Sequence, residues 1–165
     1  MMEINKLSPG SSDRINVVIM SEKGTKNYCE YDEKSETFML KKVLHQPFPG
    51  FYGIIPQTHH VDAGPLDAIV LSNEHIDQGI VIQTRPIGLI RLSGNIPDYI
   101  LITVLIDDKT VEKTQDLLTL DEEELDKLKN FLEDLKGKKV QDIFGADRAR
   151  KSFERAVELY KKEFE

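Results

Sequence analysis

The strongest constraint on this chain is a train of short, β-rich runs with prolines at their edges. Residues 15–20 read as a strand, and 28–31 with 37–40 as a hairpin around 32–36. Residues 66–71, 79–84, 87–92 and 100–106 read as further strands. Pro65, Pro86 and Pro97 fall at strand edges, where a missing N–H is tolerated. Strands this short and closely spaced predict a small barrel. The last third changes period. Thr119 as N-cap with Glu122 three residues on fits a capping box. Leu125, Leu128, Phe131, Leu132 and Leu135 follow at helical spacing, up to Gly137. A second helix is expected from about Asp147, with Phe153, Ala156, Val157 and Tyr160 on its buried face. Strands first and helices last predict an α+β fold, with two C-terminal helices packed on a barrel.

Composition narrows the function. The 165 residues suit one domain spanning 1–165. There are 29 acids against 22 bases, a net charge of −7, so no nucleic-acid partner is expected. No apolar run approaches membrane-spanning length, so no membrane partner is expected either. The lone Cys29 and the polar start, without a signal-peptide core, predict a cytoplasmic protein.

Asp62-Ala63-Gly64-Pro65-Leu66-Asp67 is the candidate site. It sets two carboxylates five residues apart around a Gly-Pro turn, just before the apolar run Ala68-Ile69-Val70-Leu71. Such a turn can aim both acids into one mouth that suits a hard cation. His59-His60 lie just upstream, and an extended segment lets at most one of them join Asp62. Imidazole there would favour zinc or a similar metal. Asp107-Asp108 reads as an acidic turn after a strand.

These residues resemble the signature D-x-D-P-x-D of the soluble family I inorganic pyrophosphatases, except that Gly64 stands at the second acid. Phe48-Pro49-Gly50-Phe51-Tyr52-Gly53-Ile54-Ile55-Pro56 is similar to the family's Y-P-x-N-Y-G-F-I-P. Lys26-Asn27-Tyr28-Cys29-Glu30-Tyr31-Asp32 resembles its N-K-Y-E-Y-D, and Arg85-Pro86-Ile87-Gly88 its R-P-I-G. The resemblance runs in order from about residue 13 to 160. It implies a five-stranded, OB-like barrel with extra strands and flanking helices. It also implies hydrolysis of pyrophosphate or a related phosphoanhydride, Mg2+ as cofactor with Mn2+ or Zn2+ as alternatives, and a homo-oligomer.

Carried over by position, the resemblance implies Asp62, Asp67 and Asp98 as metal ligands. Asp98 matches the family's loop acid when one loop residue is deleted; without the deletion Tyr99 falls there. Lys42 and Tyr52 are implied as substrate-binding groups. No catalytic base is assigned, because Gly64 replaces the water-activating acid. Ser93-Gly94 and Met20 replace further acids. Tyr28, Ile100 and Glu133 stand at family lysine positions, and Leu132 at a tyrosine. The expected activity is therefore reduced or redirected pyrophosphatase chemistry. The alternative is a non-catalytic protein that retains a metal site, a phosphate site or an oligomer interface.

Overall fold

The computed structural model describes residues 3–60 and 64–163. Its strands are β1 (Gly10–Ser11), β2 (Arg14–Ser21), β3 (Asn27–Asp32), β4 (Thr37–Val43), β5 (Phe51–Ile55), β6 (Leu66–Leu71), β7 (Val81–Leu92), β8 (Asp98–Leu105) and β9 (Val140–Gly145). The helices are α1 (Glu122–Lys136) and α2 (Ala146–Glu163). The main sheet runs β1-β2-β5-β6-β8-β7-β9, and an added β2–β7 pairing closes five of these strands into a ring. All ring pairings are antiparallel except β6–β8. β3 and β4 form a separate hairpin. The predicted α+β class, with a small ring of strands and two C-terminal helices, is the observed one.

The ring has apolar residues on both faces, which is why its strands read as nearly continuous hydrophobic runs. Ile15, Val17, Phe51, Ile55, Ala68, Val70, Leu89 and Leu101 fill the inside, with Phe153 and Ala156 of α2 packed against them. The alternate residues Ile69, Ile90, Ile100 and Ile102 face outward and are covered by Leu128, Phe131, Leu132 and Leu135 of α1. Adjacent strand positions thus enter two different cores, as a period of two requires.

Several boundaries differ from expectation. The two strands expected at 79–84 and 87–92 are one strand, β7, which passes through Pro86 with a register shift between Pro86 and Gly88. A bulge accommodates the missing N–H, so this proline marks a bend and not a strand end. The first half of β7 pairs with β2 and the second with β9. The strands β1, β5 and β9 were not among the predicted runs. The capping box also fails. Thr119 ends a short 3-10 turn and its hydroxyl donates to the Asp116 carbonyl at 2.7 Å. Asp121 is the N-cap of α1, without a side-chain cap bond. The end of α1 is as expected: Gly137 takes a left-handed φ of 65° and its N–H donates to the Glu133 carbonyl.

Candidate active site

Register alone brings the acids together. In the parallel β6–β8 pair Asp67 lies opposite Ile100, so Asp98, two residues earlier, shares its face one pleat away. That face is the outer one, and Tyr52 joins it from β5, opposite Ile69. A cavity of about 380 Å³ opens there. Asp67, Asp98, Tyr52, Met20 and Ile54 line it from the ring, and Tyr28 and Glu30 from the β3–β4 hairpin. Lys136 enters from the last turn of α1.

Lys136 organises the charge. Its Nζ lies 3.0 Å from Asp67 Oδ2 and 3.7 Å from Asp98 Oδ2. The Lys138 ammonium lies 3.7 Å from the same Asp98 oxygen. The turn at Gly137 aims both lysines at one carboxylate. Tyr52 is 1% exposed, and its hydroxyl donates to Asp67 Oδ2 at 2.6 Å. Tyr28 donates to Glu30 Oε1 at 2.8 Å and meets Tyr52 edge to face at 5.7 Å.

The titrations follow from these contacts. Burial pushes the Asp67 carboxyl above its ordinary value, and the Lys136 charge and Tyr52 hydroxyl only partly offset it. Burial opposes the Lys136 ammonium too, but Asp67 and Asp98 outweigh it, so its pKa rises. Tyr52 is raised well above the usual tyrosine value by burial, then by the Asp67 charge. Tyr28 is raised by burial, then by its bond to Glu30. Both phenols are therefore protonated donors across the working pH range.

The predicted residues divide. Asp67, Asp98 and Tyr52 meet in one cavity, as does Gly64. Asp62 lies outside the described residues. Lys42 does not line the cavity; it is exposed, and its Nζ donates to the Asp134 carbonyl at 3.2 Å. His60 lines the cavity and its Nε2 accepts from the Tyr99 amide at 3.1 Å. His59 turns towards Glu163 and Tyr160. The helix positions implied for phosphate contacts do not reach the cavity. Leu132 is buried in the outer core, and Glu133 accepts from the Val140 amide at 2.8 Å. Lys136, one turn further on, does reach it and was missed. Its signal was a lysine on each side of a helix-ending glycine.

Two carboxylates from separate strands converge on one cationic nitrogen. Hard oxygen donors around a single positive centre fit a hard divalent cation. A second set, Glu22, His75 and Asp77, brings its ligand atoms within 4.8 Å of one another but lies outside this cavity, with His75 and Asp77 exposed.

Residues 17–161 match the family model described as inorganic pyrophosphatase. The chain is 31% identical to an inorganic pyrophosphatase of Haloferax volcanii, over 99% of this chain and 98% of that one. Among solved structures, an inorganic pyrophosphatase from Thermus thermophilus superposes with a TM-score of 0.87 at 29% identity, covering 97% of this chain and 99% of that one. One from Helicobacter pylori gives 0.85 at 32% identity, covering 94% and 99%.

Proposed function

The chain belongs to the inorganic pyrophosphatase family, and from that membership we propose that it hydrolyses inorganic diphosphate to two phosphates with the help of Mg2+. The observation that carries this reading is the convergence of Asp67 and Asp98 beside Tyr52 in a cavity large enough for the substrate. Asp67 and Asp98, with Asp62, are the proposed metal ligands. A divalent cation held there supplies charge neutralisation for phosphate oxygens and lowers the pKa of water beside it. Tyr52 holds the Asp67 carboxylate in place, and its raised pKa keeps the hydroxyl a donor. Tyr28 orients Glu30, the other carboxylate that lines the cavity among the described residues. Met20 and Ile54 form an apolar wall that limits water and strengthens the local charges.

Turnover is proposed to be slow. Gly64 and Met20 supply no carboxylate to the cavity, and one missing general base or charged contact typically costs about 10²–10⁴ in rate. The protein is further proposed to be cytoplasmic and homo-oligomeric, and Mn2+ or Zn2+ are the alternative ions. No helix among the described residues is long and apolar enough to cross a membrane.

Phosphate release from diphosphate, measured with added Mg2+, Mn2+ or Zn2+, tests the reading. Metal-dependent turnover near the low end of the enzymic range, about one per second, is expected, and Asp67→Asn should abolish it. Absence of release with all three ions would overturn it. The low acid count and the lysine seated on the acids favour a second reading, a phosphate-binding protein without turnover. Calorimetric binding of diphosphate that proceeds without phosphate release would establish that one.

A further inference from the structure

The seat between Asp67 and Asp98 already holds a positive charge that belongs to the chain. The Lys136 nitrogen bonds one carboxylate at 3.0 Å and approaches the other at 3.7 Å, with its side chain only 19% exposed. It can neither drift away nor be replaced by water at low cost. Its backbone is anchored on one side by buried Leu132 and Leu135 and on the other by the left-handed turn at Gly137. Lys138 differs: its ammonium faces Asp98 alone and its side chain is 37% exposed. A divalent ion bound to the same two carboxylates would sit a few ångströms from the Lys136 charge. Like charges at that separation repel strongly at a partly buried site.

We propose that Lys136 is a tethered, exchangeable cation: it neutralises Asp67 and Asp98 when metal is absent, yields them to the arriving metal, and then pairs with the diphosphate. The last step follows from the tether. Once displaced, the ammonium stays in a cavity whose other carboxylate among the described residues, Glu30, already accepts the Tyr28 hydroxyl through one oxygen and offers a single negative charge in place of two. An unpaired ammonium in a partly buried site is costly, and the entering anion supplies the partner. Metal and substrate would then bind with positive coupling through one side chain, because each removes a penalty the other leaves. The proposal rests on the metal-binding reading of Asp67 and Asp98 but not on turnover.

The test is Mn2+ titration of the full-length protein by calorimetry, with Lys136→Met, Lys136→Gln and Lys138→Met alongside. Lys136→Met should bind Mn2+ at least about tenfold more tightly, the effect expected from removing one nearby positive charge. Lys136→Gln should follow it and guards against a folding defect of the first variant. Lys138→Met should change affinity less. Methylenediphosphonate, a non-hydrolysable diphosphate, titrated at saturating Mg2+, should bind Lys136→Met about tenfold more weakly, as expected when a charge-assisted contact is lost. Affinities that move in opposite directions are a signature no merely structural lysine would give. Mn2+ affinity unchanged or weakened in both folded Lys136 variants would overturn the proposal. So would equal effects at Lys136 and Lys138, and unchanged methylenediphosphonate binding would overturn the substrate step. Adding Asp98→Asn to Lys136→Met should remove the gain, which places the ion on the pair. If the gain appears and phosphate release never does, the catalytic reading fails and this one stands. Release with no gain has the opposite meaning.

Discussion

Asp108 is 1% exposed and accepts four hydrogen bonds: from the Thr110 hydroxyl at 2.6 Å and amide at 2.9 Å, the Asn73 amide at 2.7 Å and the Ser72 hydroxyl at 2.7 Å. It ties the loop after β6 to the turn after β8, at the end of the ring away from the cavity. Those bonds, the Thr110 hydroxyl first, hold its carboxyl well below the ordinary value of 3.8. A depressed folded pKa stabilises the fold at pH values above the unfolded one, and the contribution drains away as pH falls from there towards the folded value. Thermal unfolding of Asp108→Asn should therefore occur at a lower temperature than wild type at neutral pH. The gap should narrow as pH drops below about 4; a gap that is constant with pH would contradict the assignment. Asp107-Asp108 was legible in the sequence only as an acidic turn. That one of the two is buried depends on Ser72 and Asn73, which lie more than thirty residues away in the chain. The candidate site divides in the same manner. Asp67, Asp98 and Tyr52 could be named from motifs, whereas Lys136 was marked only by its place beside the helix-ending Gly137, because nothing local links a helix-end lysine to two strands.

Elements were legible where a continuous apolar run or one period dominated, and obscure where a glycine or polar residues interrupted the pattern. β5 shows no alternation: Phe51, Tyr52, Gly53 and Ile55 are all buried. Gly53 is there because a Cβ at that position would lie 2.1 Å from the Val18 carbonyl oxygen, so β2 and β5 approach too closely for any side chain. β9 is short and half-exposed, and becomes a strand by pairing with β7. α1 was the clearest element, with a buried stripe and a glycine stop. A methyl group on Gly137 would point into open space, so the cost of Gly137→Ala is the left-handed φ alone. That is about 1 kcal/mol, or a fall of roughly 2–4 °C in Tm for a chain of this size. A thermal scan checks it, and no change would mean that the turn is not strained. The same variant loosens the turn that aims Lys136 and Lys138 at Asp98.

Across the molecule, the two cores have distinct duties. The inner core with α2 maintains the ring, while the outer core holds α1 and hence Lys136 against the site. Phe131 is 1% exposed and packs 4.8 Å from the Phe48 ring. Phe131→Ala should cost about 3–5 kcal/mol by transfer and cavity terms, read from urea unfolding, and should weaken whatever depends on Lys136 even if the ring survives. A loss below about 1 kcal/mol would show that α1 is not anchored there. The order of elements, the α+β class and the pairing of Asp67 with a Gly-Pro turn were all present in the linear pattern, because periodicity and turn chemistry are local properties. The closure of β2 onto β7, the continuity of β7 through Pro86 and the seating of Lys136 between Asp67 and Asp98 were not. Each depends on which distant strand or helix end comes to lie alongside, and that is settled by burying both faces of the ring at once.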